Sequence, residues 1–161
     1  MRPRFLVDAM LGRLAGWLRI LGYDVISVDN RMDDSEVLKL NAGDRILLTR
    51  DRQLVDRAIS RGMDAIFLSS DSIDGQMVQL LSSLEIDADR LFTRCPHCGA
   101  TLERVSKQDA EDSGMVPEGS LQNSEVFWRC PHCGKYYWKG SHWPKIIERL
   151  RNWGIDVDEG F

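Results

Sequence analysis

The chain has 161 residues, 43% of them apolar and 29% charged, with a net charge of −4. That composition reads as globular and not disordered, and no apolar run approaches the roughly 18 residues of a membrane span. The mild net acidity gives no global sign of nucleic-acid binding. The opening segment, Met1 to Asp8, has an apolar stretch of only Phe5-Leu6-Val7, too short for the apolar region of a secretory signal, so the expectation is a cytoplasmic chain. In a reducing cytosol four cysteines favour metal binding over disulfides.

The first ninety or so residues alternate between two periodicities. Phe5-Leu6-Val7 reads as a strand ending at Asp8, and Leu11, Leu14, Leu18 and Leu21 recur at helical spacing until Gly22. Val25-Ile26-Ser27-Val28 is a second strand, and a helix follows from Asp33 to Leu40, closed by Asn41-Ala42-Gly43. Ile46-Leu47-Leu48 is a third strand. Leu54, Val55, Ala58 and Ile59 mark a helix that stops at Gly62. Ala65 to Leu68 is a fourth strand, and Met77, Val78, Leu80, Leu81 and Leu84 mark a fourth helix. Strands alternating with helices of this length predict an α/β fold: a parallel sheet with helices on both faces.

The pattern breaks at Thr93-Arg94-Cys95, which puts a first domain at 1–92 and a small zinc ribbon with a C-terminal helix at 93–161. Cys95-Pro96-His97-Cys98-Gly99 and Cys130-Pro131-His132-Cys133-Gly134 are near copies. A gap of two residues lets both thiolates of a turn reach one ion, and the glycine supplies a positive φ. Two such knuckles complete a closed tetrahedral shell around one structural Zn²⁺, which leaves His97 and His132 outside it. The polar span from Lys107 to Glu125 reads as a loop or a mobile excursion.

Two features are candidates for chemistry. Open parallel sheets take ligands beyond the carboxyl ends of their strands. Asp8 and Asp51 stand at such ends, and Asp33-Asp34-Ser35-Glu36 opens the second helix. Clustered carboxylates call for Mg²⁺ or Mn²⁺. The competing role is helix capping: Asp33 has Glu36 three residues on and is the better cap, whereas Asp8 and Asp51 lack that partner. No glycine-rich phosphate loop follows a strand, so a nucleotide-cofactor reading is poor, and no histidine lies in the first domain, so histidine-based catalysis is excluded there. The second feature lies between Val126 and Trp153, where six Lys and Arg residues stand against the single acid Glu148, interleaved with aromatic rings. Such a mixture suits phosphates and bases; the same rings also suit the core of a small ribbon.

The runs FLVDAMLGRLAGWLRILGYDV, ILLTRDRQL and RCPHCGKYYWKGSHW together resemble one architecture. It is the Mut-seven C-terminal RNase domain family, in which a PIN-like ribonuclease fold is fused to a zinc ribbon. The resemblance implies a metal-dependent endoribonuclease acting on RNA, with Asp8, Asp34 and Asp51 as catalytic residues that bind Mg²⁺ or Mn²⁺, and with Asp71 and Asp74 as candidates for a fourth acid. Arg13 on the first helix, Thr49 and Arg50 at the end of the third strand, and Trp138, Lys139, Ser141 and His142 in the ribbon are the expected substrate contacts. Two other readings compete. One is a non-catalytic adaptor that binds nucleic acid or protein through its ribbon. The other is a small phosphatase-like Mg²⁺-dependent regulator, which would want a lysine after a late strand. Lys39, mid-helix, is the sole lysine before Lys107.

Overall fold

The structure, a computed structural model, describes residues 2–41 and 43–158. Ala42, part of the turn expected to close the second helix, lies outside the described residues. The N-terminal half contains four short strands, β1 (Phe5–Val7), β2 (Val25–Ser27), β3 (Ile46–Thr49) and β4 (Ala65–Phe67). They form one parallel sheet in the order β2-β1-β3-β4. The connecting helices are α1 (Gly12–Ile20), α2 (Asp34–Leu40), α3 (Arg52–Ser60) and α4 (Ile73–Leu81).

The strand order explains the layering. The chain leaves β1 in one direction through α1 to β2, then turns back past β1 through α2 to β3. With crossovers of one hand, that reversal puts α1 on one face and α2 and α3 on the other. The side chains agree. Leu6 and Leu47 pack with Val37, Leu38, Leu54 and Ala58 from α2 and α3. Phe5, Val7 and Leu48 face the other way, toward Leu14 and Leu18 of α1 and Met77 and Leu80 of α4. Strands buried on both faces give continuous apolar runs in the sequence.

The second half holds a three-stranded antiparallel sheet of β5 (Glu103–Val105), β6 (Phe127–Arg129) and β7 (Tyr136–Trp138). Between β5 and β6, the span expected as a loop instead folds into two short helices, α5 (Lys107–Asp112) and α6 (Glu118–Asn123). Their apolar residues are few, but Ala110 and Val116 are buried against Phe127. That contact orders a stretch that reads as solvated.

The last helix, α7 (Trp143–Asn152), follows the ribbon in sequence but packs elsewhere. Ile147, Leu150 and Trp153 join the core beneath α1 and α4. The Trp153 ring meets Trp17 edge-on at 4.9 Å, and its indole N–H donates to Asp74 Oδ1 at 2.9 Å. No helix of the described residues is long and apolar enough to cross a membrane.

One buried cation ties the ribbon to the sheet. Arg19 of α1 is 5% exposed. Its guanidinium donates to the Val25 carbonyl at the start of β2 and to the carbonyls of Pro96 and His97 in the first knuckle, the last at 2.8 Å. A charged donor shared among buried carbonyls is expensive to remove, because each acceptor left without a partner keeps its desolvation penalty. Arg19→Met is therefore expected to destabilise the chain by at least about 2 kcal/mol in urea unfolding. Arg19→Lys should recover less than half of that, since one ammonium cannot span all the acceptors. A loss under about 0.5 kcal/mol for Arg19→Met, the range of ordinary surface changes, would contradict this role.

Candidate functional site

The parallel sheet brings two of the three candidate acidic residues to neighbouring strand ends. β1 and β3 are neighbours with Val7 opposite Leu48, so their carboxyl ends lie side by side, where the strand order reverses. Asp8 leaves β1 there, its N–H donating to the Leu48 carbonyl at 3.1 Å. It stands at the start of a 3-10 turn, Ala9–Leu11, yet its side chain makes no capping bond. Instead Asp8 Oδ2 accepts from the Thr49 hydroxyl at 2.8 Å. The same hydroxyl oxygen accepts the Asp51 N–H at 3.0 Å. Thr49 is fully buried, so its hydroxyl serves as a fixed link between the two acids.

Asp51 has a second job. Its Oδ1 accepts from the N–H groups of Gln53 and Leu54, which caps α3. The capping alternative thus holds for Asp51 and fails for Asp8. Asp33 forms the expected reciprocal capping box with Glu36. Asp34, freed from capping, pairs at 3.0 Å with Arg57 of α3, and Arg57 also donates to the Ser35 hydroxyl. Both partners of that pair are roughly half exposed, with side-chain exposures of 42% and 46%, so it holds Asp34 only weakly. Among the described residues, no three carboxylates bring ligand atoms within 4.8 Å of one another.

The arginines expected near this edge differ in setting. Arg13, in the first turn of α1, is exposed. Arg50 is half-buried, and its Nε is enclosed without a hydrogen-bond partner. Asp71 is exposed, while Asp74 is engaged by Trp153 and, at 3.7 Å, by Arg149 of α7.

The cysteines do converge. Cys95, Cys98, Cys130 and Cys133 place their sulfurs within 4.8 Å of one another, enough for one metal ion. The two knuckles repeat each other bond for bond. Gly99 N–H donates to Cys95 O and Gly134 N–H to Cys130 O, at 2.8 and 2.9 Å. Gly99 and Gly134 have φ of 84° and 76°, the left-handed conformation a β-carbon resists. The Tyr137 hydroxyl lies 3.0 Å from Cys95 Sγ. Burial, then the neighbouring Cys95 sulfur, pushes the Tyr137 phenol well above its usual pKa. Burial would raise the Cys95 thiol, but the Tyr137 bond and backbone N–H groups bring it down to about 7, toward the thiolate a metal needs.

The aromatic and basic segment divides among several tasks. Phe127 is fully buried and Trp153 nearly so, while Tyr136 and Trp138 pack partly against the cluster formed by α5, α6 and Phe127. Trp138 lies so close to Gly140 that a β-carbon there would sit 2.9 Å from the indole nitrogen, which accounts for the glycine. Lys139 Nζ lies 5.1 Å over the Trp143 ring, and burial lowers its pKa. Ser141 is exposed, and His142 is exposed at the start of α7 without a side-chain capping bond.

Nothing in the sequence singles out Arg19 or Arg57, and Thr49 stands in it only as an expected substrate contact, without its link to Asp8 and Asp51. The one available signal is that Thr49 puts a hydroxyl at a strand position otherwise reserved for buried aliphatics.

No curated protein and no solved structure matches the chain. A family model does: the Mut7-C RNase domain matches residues 3–150. The match spans the sheet, both knuckles and most of α7, and on that ground the chain belongs to the Mut7-C RNase domain family.

Proposed function

We propose that the chain is a divalent-metal-dependent endoribonuclease of PIN-like type whose reaction takes place beyond the carboxyl ends of β1 and β3. One observation carries the reading. Asp8 sits where parallel sheets bind ligands, spends no bond on capping, and is coupled through Thr49 to Asp51. Membership in an RNase domain family supplies the substrate class, RNA.

The donor set suits a hard cation such as Mg²⁺ or Mn²⁺. Mg²⁺ is commonly bound by one or two carboxylates, with waters and substrate phosphate filling the rest. Asp8 Oδ1 and Asp51 Oδ2 have no hydrogen-bond partner among the described residues, so each acid keeps one oxygen for a metal. When bound, the cation would lower the pKa of a water and offset charge on the reacting phosphate. Hydrolysis forms one P–O bond from that water and breaks the ester P–O bond, and the water's proton ends on the leaving oxygen. Thr49 holds Asp8 in one orientation. Arg50 after β3 and Arg13 on α1 bind phosphate. Asp34 would have to give up its weak pair with Arg57 to hold the metal or its waters.

Zinc in the ribbon is the structural half of the proposal. A Zn–S distance of about 2.3 Å in a tetrahedron implies sulfurs about 3.8 Å apart. Cys95 and Cys133 are 3.7 Å apart and Cys98 and Cys130 are 3.4 Å apart. With all four positions filled by protein, such a site supports the fold and leaves none for substrate. Together with the ribbon's basic and aromatic residues, it would help hold the RNA.

The Arg57 pair favours a second reading, the non-catalytic adaptor, because a paired Asp34 leaves the edge one ligand short. Metal separates the two. Mn²⁺ should stabilise the parent by RT ln(1 + [L]/Kd), whereas an adaptor shows no such gain.

Three outcomes are expected. Purified chain should contain one zinc, and Cys130→Ser should lose it along with the ribbon's hydrogen-exchange protection; zinc-free protein with an intact ribbon contradicts the assignment. Because Asp8 caps nothing, Asp8→Asn and Asp8→Ala should both lose Mn²⁺-dependent RNase activity while Asp8→Asn keeps the parent's metal-free stability; activity retained in both variants removes Asp8 from the mechanism. Thr49→Val, nearly isosteric and buried, should weaken Mn²⁺ binding about 10–100-fold, as loss of a ligand's supporting bond commonly does, and Thr49→Ser should restore it. Unchanged Mn²⁺ affinity in Thr49→Val would show that the hydroxyl positions nothing.

A further inference from the structure

We infer that the cleft between the ribbon and the sheet domain is a subsite for one unstacked base of single-stranded RNA, with phosphate contacts on the adjoining groove. The inference rests on the reading of the chain as a ribonuclease and adds where the strand is gripped. Trp128 and Tyr137 are direct partners across β6 and β7 and so share one face of the ribbon sheet. That face, together with Trp138, turns toward Phe92 from the interdomain link and Trp143 at the start of α7, enclosing a cleft of about 80 Å³. All five rings keep part of their surface in solvent, unlike Phe127, which is fully buried. Phe92, Trp143 and Trp138 also pack against the cores on either side, so the five part-exposed rings are held in place around one hollow and form a stacking platform.

Two further observations point to a ligand. Phe92 has φ of 59°, the one non-glycine residue with positive φ among the described residues. Bulky residues adopt that conformation at a cost and cluster in it at binding sites. Here it brings the Phe92 ring within 4.4 Å of Trp143, one wall of the cleft. The charges are also one-sided. Arg94 lines the cleft, and an open groove of about 550 Å³ beside it, which shares Tyr137, Trp138 and His142, adds Lys135. Among the described residues no carboxylate lines either hollow, although the chain as a whole is acidic. Apolar rings with a cation at each hollow and no acid suit an uncharged base joined to phosphates; an acidic edge beside them would have repelled the strand. Single strands fit better than duplex, because only an unpaired base offers its faces to rings.

The test uses the full chain without added divalent metal, so that RNA is bound and not cut. A short single-stranded RNA should quench tryptophan fluorescence and bind with salt-dependent affinity, and a duplex of the same sequence should compete poorly. Trp128→Ala, with zinc content and circular dichroism unchanged, should weaken binding about tenfold or more, and Trp128→Phe should recover most of it. Lys135→Ala should reduce the log–log salt slope by about 0.7. Binding by Trp128→Ala equal to the parent's, absence of RNA binding, or equal competition by duplex overturns the subsite. Adding Mn²⁺ separates the two proposals. Cleavage whose KM is untouched by Trp128→Ala overturns the subsite and leaves the nuclease; tight, Trp128-dependent binding without cleavage overturns the nuclease and leaves the subsite.

Discussion

The arrangement of this molecule depends on one buried guanidinium. Arg19 spends its donors on the carbonyl of Val25 and on two carbonyls of the first cysteine knuckle, so a helix of the sheet domain and a turn of the ribbon share one cation. Burial lowers its pKa, against the raising influence of Cys98 and Cys95. With zinc bound, four thiolates make the knuckles formally dianionic, and a nearby buried cation is what such a site needs. The contact is also steric: a side chain on Gly99 would meet Arg19 at 3.1 Å. Knuckle and α1 are thus mutually dependent, and the ribbon is held in a fixed relation to the strand ends.

That fixed relation gives the proposed chemistry its geometry. The carboxylate edge is built by topology, because the reversal of strand order between β1 and β3 sets Asp8 beside Thr49. α7 closes the arrangement from the far side. It begins at the ribbon with Trp143 and ends in the sheet domain's core with Trp153, where Asp74 receives the indole N–H. An acid that by its position after β4 is a candidate for the catalytic set thereby braces a helix. The chain is therefore one strapped unit, in which the proposed ribbon subsite and the acids keep a fixed separation.

The parallel sheet was legible because its strands, buried on both faces, appear as short aliphatic runs and its helices as stripes at 3.6-residue spacing. The knuckles were legible because metal coordination fixes both spacing and residue type. Asp8 was legible by its place at a strand end. The rest depends on contacts between distant segments. Nothing in the polar run from Lys107 to Glu125 announces two helices, since only Ala110 and Val116 give it a buried side. The amphipathic pattern of α7 says that one face is covered, and cannot say that the cover is α1 and α4. Asp51 lacks a Glu or Gln three residues on, yet caps α3 alone through two backbone N–H groups. Arg57 has no sequence feature that marks it as the partner of Asp34.

The central claim is that Asp8 and Asp51 hold a divalent cation. It is tested most directly by anomalous scattering from a crystal of the full chain soaked in Mn²⁺. The account predicts a manganese peak at the carboxyl ends of β1 and β3, bonded to oxygens of Asp8 and Asp51, and lost in Asp8→Asn. Saturating Mn²⁺ that supports RNA cleavage in solution, yet leaves no anomalous density at that edge, would contradict it.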